Sequence, residues 1–559
     1  MNLWSLQVKW ILPVAIIISF GEIYGQDLTH LSQNKSSVHG NLSATTIFYG
    51  SSGIDARKAP FSYILSGNVN VNLKGFAMPF SFVYSDRNKD FRQPFNQFGL
   101  SPKYKWITLH LGYRNISFSK YVLGGHTVFG AGVELNPGIF RFGAVYGRLQ
   151  RQSNQAIKLN NPLTDTLAAY KRKMFSFKIG LGGKDTFVDL VVLKAKDDST
   201  SLDSAIMRTD EFPAENIVAG INSRVKLSKN LHIEAEGAYS IFTSNINSDV
   251  ANGEETNFIT TNISTQFYLA VRGSLVYRSR KGLMFSVNYR RIDPEYKSMG
   301  IYFINNDLEN ITLSTAFKLL KNKLRFKGSL GSERNNLKLA RKATTKKMIG
   351  SFNISYDPVR LFGINLNYSN YSLNQSNGRI QIADSVKIYQ TNSTFMIMPH
   401  FQFTGKNGKT SHFISFVYTK MGLNDKNSHT QSVMDFTTNN IMLTYNIGVI
   451  AYKLNFTLGI NRNKVIMEQG ESTNNGLSAG VSKSLLKNKL NVSLNINSTK
   501  SKNRTETFSV FTPTLNFSYR AGKHHNFRLK YYFISNKNKS DNSKTFTEQT
   551  GDFSYVFTF

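Results

Sequence analysis

Along most of the chain, apolar and polar residues alternate one for one. Phe362-Gly363-Ile364-Asn365-Leu366-Asn367-Tyr368-Ser369 places an apolar side chain at every second position, with Gly, Asn or Ser between. Leu490 to Asn497, Tyr452 to Ile460 and Leu324 to Leu330 repeat the rhythm. Side chains on a strand point to opposite faces with period two, so each segment is a strand with one greasy and one polar face. No stretch sustains a helical period. The segments run about 10 to 13 residues. Soluble strands are usually about 5 or 6 residues long, whereas a tilted strand crossing a bilayer needs roughly 9 to 11.

Connections alternate between short and long. The short ones include Asn136-Pro137-Gly138, Ser228-Lys229-Asn230, Lys321-Asn322-Lys323, Lys487-Asn488-Lys489 and Ala521-Gly522-Lys523. The long ones include 151–170, 197–214, 245–265, 373–390, 422–435 and 536–545. Short turns at one rim and long loops at the other characterise an outer-membrane barrel. One unit recurs almost verbatim: Leu319-Leu320-Lys321-Asn322-Lys323-Leu324 and Leu485-Leu486-Lys487-Asn488-Lys489-Leu490. Both copies sit at a strand–turn–strand junction and read as repeated hairpin chemistry.

Such strands must close on themselves. An unpaired backbone N–H or C=O in hydrocarbon costs several kcal/mol, and an open sheet leaves two edges of them. The expected fold is therefore all-β: one transmembrane antiparallel β-barrel over about 38–559, of about 24 strands within a range of 22 to 26. The alternation of short and long connections is clean from residue 124 onward, while strand direction in 38–123 stays ambiguous. The last segment sets Phe553, Tyr555, Phe557 and Phe559 on one face. That arrangement resembles the C-terminal strand by which outer-membrane barrels are read by the barrel-assembly machinery, so these four are the candidate assembly signal.

Composition narrows this picture. Cys is absent, which removes disulfide scaffolds, thiolate metal sites and cysteine nucleophiles. Only 12 Pro occur, too few for a Pro-rich disordered chain. The start of the chain reads as an export signal. Lys9 precedes an apolar run, Trp10 to Phe20, and Gly25 precedes Gln26, the expected first mature residue. The run is about 11 residues, too short to span a bilayer as a helix, which takes roughly 20. The expected organisation is a signal peptide over 1–25, a short segment over 26–37 and the barrel from 38. The expected location is the outer membrane, with its lipid and lipopolysaccharide as surroundings.

The charge balance, 68 Lys+Arg against 35 Asp+Glu, gives +33. A lipid-facing cation at mid-bilayer costs roughly 2–4 kcal/mol, so basic residues within strands belong on the lumen face. Alternation puts Arg224, Lys226, Arg272, Arg290, Arg325, Lys327, Lys453, Arg528 and Lys530 there, with Glu234 and Glu236 as counter-charges. One reading is a lumen that favours anions. The other is that the basic residues solvate the rims and pair with lipid phosphates. Nucleic acid fits poorly, because the charge is spread over many hairpins without a binding motif.

A barrel of this size leaves a wide hole, since barrels of about 22 strands hold a plug. Only about a dozen residues of the expected mature chain precede the first strand, too few for a plug domain. Inward loops or a plug or lipoprotein partner must then fill it, and 86–102 and 245–265 are the candidate loops. Catalytic signals are weak. The ten His are scattered without zincin spacing, Gly408-Lys409-Thr410 lacks the leading Gly of a phosphate loop, and Gly180-Leu181-Gly182-Gly183 is followed by no helix. No cofactor, metal or enzymatic activity is expected.

Two stretches carry a resemblance: Phe91 to Trp106 (FRQPFNQFGLSPKYKW) and Tyr289 to Gly300 (YRRIDPEYKSMG). They are similar to stretches in uncharacterised outer-membrane barrels of Bacteroidota, a group with no firm biochemical role to transfer. Asp165-Thr166-Leu167, Asp203-Ser204-Ala205 and Asp384-Ser385-Val386 resemble the O-glycosylation motif of that phylum. The functional expectation is a channel or transporter without an energy-coupling plug, favouring anionic solutes. The alternative is a structural or secretion-associated barrel working through partner proteins.

Overall fold

The computed structural model describes residues 36–86, 97–152, 169–202, 212–256 and 259–559. The export signal and the segment after it fall almost wholly outside these residues, as do Asp165-Thr166-Leu167 and Asp203-Ser204-Ala205. The chain forms one continuous antiparallel meander. Each strand of the wall pairs with the wall strands before and after it in sequence, and the first, Ser37–Ser52, pairs with the last, Phe546–Thr558, from Asn41–Thr558 to Ser52–Thr547. Gln97–Leu100 and Lys103–Tyr104 lie between the same two neighbours and form one broken stave, so the wall has 26 staves. A closed meander with every neighbour antiparallel, the seam included, requires an even number. The ambiguous stretch 38–123 resolves into five staves: Ser37–Ser52, Phe61–Leu73, Phe76–Ser85, the broken one and Ile107–Asn115.

The predicted polarity holds on the outside. Ile221, Leu458, Ile460 and Leu477 point outward, each more than half exposed. Aromatic rings flank this band. Phe48, Phe61, Tyr63 and Tyr84 form a chain of ring contacts near the long-loop rim. Phe403, His412 and Tyr445 stack near the short-turn rim. The total accessible surface, 34870 Å², far exceeds the roughly 20,000 Å² of a compact globule of this mass. A wall exposed on an inside as well as an outside contributes to that excess. A closed barrel with an apolar outer band and aromatic girdles is built for hydrocarbon, and the protein is an outer-membrane barrel.

The repeated hairpin unit takes the same conformation twice. Leu320, Lys321 and Asn322 have φ of 51°, 54° and 70°, and Leu486, Lys487 and Asn488 have 51°, 54° and 69°. Each run reverses the chain and is closed by one bond, Lys323 N–H to Leu320 O at 3.1 Å and Lys489 N–H to Leu486 O at 3.1 Å. Lys453 departs from expectation. With φ of 49° and its N–H bonded to Ile450 O at 3.2 Å, it lies in the turn before Leu454–Met467 and not in the wall. The strand begins two residues later than the alternation suggests, at Leu454 and not at Tyr452.

The seam is tied at its short-turn end by Gly40 N–H to Phe559 O (2.8 Å) and Phe559 N–H to Gly40 O (3.1 Å). Gly40 is required by close approach, because a Cβ there would sit 2.3 Å from Asn68 O on the neighbouring strand. Gly40→Val is expected to cost about 1–3 kcal/mol through this overpacking. It should lower the yield of the heat-modifiable folded form on unboiled gels. An unchanged yield would show that the seam tolerates a side chain there.

Candidate functional site: an inward-folded constriction

Fully buried apolar side chains gather in one place among the described residues. They come from two connections at the long-loop rim, 116–126 and 293–307, and from the inner face of the strands between Thr127 and Leu319. Both connections turn into the lumen. The candidate inward loops of the sequence were 86–102 and 245–265. Of 86–102, residues 87–96 lie outside the described residues and Gln97–Leu100 is wall. Of 245–265, the described part carries a short hairpin, Val250–Thr256 with Ile259–Asn262.

The wall accepts the loops because its inner face changes character there. Leu190-Val191-Val192-Leu193 is an unbroken apolar run. Val191 and Leu193 are fully buried against the loops, and Leu190 is exposed on the outside. A strand covered on both faces loses its alternation for this reason. Val145, Met174, Val218 and Ala238 extend the inner patch across neighbouring strands. Gly220 completes it, since a Cβ at this position would lie 2.7 Å from Val122 Cγ2. Burying side chains such as Val122, Leu123 and Tyr296 stabilises the inward position by about 1.5–3 kcal/mol each.

Polar clasps fix the loops. Glu236, 1% exposed at its side chain, accepts from Ser119 Oγ at 2.6 Å and Lys120 N–H at 2.5 Å. Its other oxygen accepts from Arg272 Nε at 2.8 Å. Ser240 Oγ donates to Lys297 O at 2.6 Å, and Met299 N–H donates to Asn216 Oδ1 at 2.9 Å. The loops also bind each other. Tyr296 OH donates to Tyr121 O at 2.6 Å, Ser298 Oγ to Val122 O at 2.7 Å and Gly124 N–H to Gly300 O at 3.1 Å. Lys178 Nζ lies 4.7 Å from the centre of the Phe118 ring and donates to Glu134 Oε2 at 3.0 Å.

Burial sets the ionisation of the loop groups. It pushes the Tyr121 phenol up to about 12, against the pull of Arg272 and Arg290, and raises Tyr296 further. It lowers Lys297, with Arg172 adding to the effect and Asp197 opposing it. It also lowers His126, where the Thr127 carbonyl works the other way.

The predicted lumen cations separate into three groups. Arg224, Lys226, Arg272, Arg290 and Arg325 face inward but are matched by acids: Glu234 (2.7 Å), Asp185 (3.7 Å), Glu236 (2.8 Å), Glu333 (3.6 Å) and Asp357 (2.5 Å). Lys327, Arg528 and Lys530 face inward with no ion pair among the described residues, Lys530 standing opposite Asp552 in register. Lys453 is at the turn. Phe553, Tyr555 and Phe557 share the outer face, where Phe527 and His525 pack on Tyr555. Asp384-Ser385-Val386 forms a short exposed turn in which Lys387 Nζ donates to Asp384 at 2.6 Å.

The sequence held two signals for the constriction: the unbroken run Leu190 to Leu193, and the stretch Tyr289 to Gly300, whose second half is the inward loop. Loop 116–126 shows little beyond its apolar content, because its partners come from a strand 117 residues away and from the other loop, 176 residues away.

No family model and no curated protein matches the chain. Among solved structures it is similar to the P pilus usher PapC translocation pore, at 12% identity and a TM-score of 0.39, covering 94% of this chain and 100% of that one. It is similar to a point mutant of the ferric enterobactin receptor PfeA of Pseudomonas aeruginosa, at 10% identity and a TM-score of 0.43, covering 94% and 81%. It is also similar to OccK11 (OpdR) of Pseudomonas aeruginosa, at 9% identity and a TM-score of 0.33, covering 65% and 95%.

Proposed function

We propose that the protein is a passive outer-membrane conduit, narrowed on one side of its lumen by the docked loops 116–126 and 293–307. Solutes pass along the opposite, polar part of the wall. The observation that carries this reading is the contrast between the two parts of the inner face. Strands between Thr127 and Leu319 bury an apolar patch under the loops, whereas Asn365, Asn367, Asn446 and Thr457 line the remainder and stay partly exposed. A polar wall wets, and a lumen of 26 staves holds water wherever no loop covers it. Five of the predicted cations stand within ion-pair distance of carboxylates, which weakens the field they add to the lumen. Lys327 and Arg528 contribute to the net field, which gives a mild preference for small anionic solutes. The reading is non-enzymatic: the Ser, Glu and Arg groups around the loops are engaged with one another.

Two variants test the constriction by different routes. Glu236→Ala removes the buried acceptor of three donors and is expected to weaken docking of loop 116–126 by about 3–5 kcal/mol. Gly220→Val pushes the same loop from beneath without changing charge, at about 1–3 kcal/mol. Both should raise single-channel conductance in planar bilayers. Wild-type conductance in both would show that the loops do not limit flow.

Docking should also depend on pH. A buried base with a lowered pKa docks in its neutral form. The stability it supports is complete above its unfolded value of about 6.5 and declines as pH falls below that. Conductance is expected to rise between pH 7 and pH 5, and His126→Gln should flatten the rise. An identical pH profile in the variant would remove His126 from the account.

Charge reversal probes selectivity. Lys327→Glu with Arg528→Glu is expected to move the reversal potential in a salt gradient toward cations, whereas Lys453→Glu should leave it unchanged. A shift produced by Lys453 alone would contradict the assignment.

A further inference from the structure

We propose that the outer face of the barrel carries a binding site for a lipid with phosphate groups in its headgroup, built on the strands from Thr410–Asp425 to His525–Asn538. The site lies on the outside of the wall, distinct from the conduit, and does not depend on it. Six cations compose it: Lys420, Arg462, Lys464, Lys500, Lys502 and Lys537. Each shares the outward face of its strand with the apolar band below, and Leu458, Ile460 and Leu477 of that band are 56%, 57% and 63% exposed. All six lie toward the long-loop end of their strands.

The ladder spaces them regularly. Lys420 and Lys464 are both in register with Asn439, and Lys464 and Lys502 are both in register with Thr473. One step nearer the membrane centre, Arg462 and Lys500 flank Asn475, and Lys500 and Lys537 flank Ser509. The result is two offset rows in which cations stand two strands, about 9.5 Å, apart with a small polar residue between them. Only Lys464 has an acid within ion-pair distance among the described residues, Glu471 at 2.7 Å.

Like charges gathered on one face repel, and unpaired cations beside a bilayer are costly away from its headgroups. Inward placement would have solvated them, as it does Lys327 and Arg528. Their outward placement at a single level, above exposed Leu and Ile, matches an amphiphile with several negative charges and acyl chains. The phosphates bridge the rows, and the chains run down over Ile460 and Leu477. A free phosphate would use only the upper half of this arrangement.

Diphosphoryl lipid A serves as the probe, titrated onto the full-length barrel in an uncharged detergent and followed by native mass spectrometry. The variant Lys464→Gln/Lys500→Gln/Lys502→Gln is expected to weaken binding by at least about tenfold. The control Lys281→Gln/Lys487→Gln/Lys523→Gln, at the short-turn rim, should bind as the wild type does. Dephosphorylated lipid A should bind the wild type as weakly as the intact lipid binds the variant. Heat-modifiability of both variants verifies that they are folded. Equal affinity of wild type and grid variant would overturn the site. Competition by inorganic phosphate at concentrations matching the lipid would overturn the lipid assignment, because it would mean that the acyl chains contribute nothing.

Discussion

Hydrocarbon offers no hydrogen-bond partner, and every feature of this barrel follows from that. Each strand must lend its backbone to two neighbours, and the first must find the last. The seam from Asn41–Thr558 to Ser52–Thr547 meets this requirement. It also explains why the count is even, why the broken stave at 97–104 is still bridged on both sides, and why Gly40 has no room for a side chain.

Closure creates a second problem, an interior too wide to be filled by side chains. The protein does not solve it with a separate folded unit among the described residues. Two ordinary connections are lengthened and made apolar, and the wall beneath them gives up its alternation to receive them. The buried clasps explain why the loops occupy one position. Glu236 is out of contact with water and holds Arg272, Ser119 and the Lys120 amide together, so moving the loop outward strands a buried carboxylate. Such an arrangement specifies a position more than it adds stability. It leaves docking open to control by pressure on Val122 or by the charge of His126.

The excess positive charge has different roles in different places. Inside, Arg224, Arg272, Arg290 and Arg325 each stand within ion-pair distance of an acid of the wall. Outside, among the described residues, Lys464 alone of the six cations has such a partner. Position relative to the wall, not the total of +33, decides what the charge means.

The dyad rhythm by itself determined the fold class, the inward or outward side of most strand residues, the alternation of turns and loops, and the twin turns at Lys321 and Lys487. It could do so because side-chain alternation and turn geometry are local properties, readable over a few residues. The stave count within 38–123, the turn position of Lys453, the pairing of lumen cations and the identity of the inward loops were decided by tertiary structure. Each depends on which distant strand lies alongside. Ser298 meets Val122 across 176 positions, and Lys464 and Lys502 become neighbours only through the strand between them. A one-dimensional pattern tells a residue which way to face, but only the closed cylinder determines what it faces.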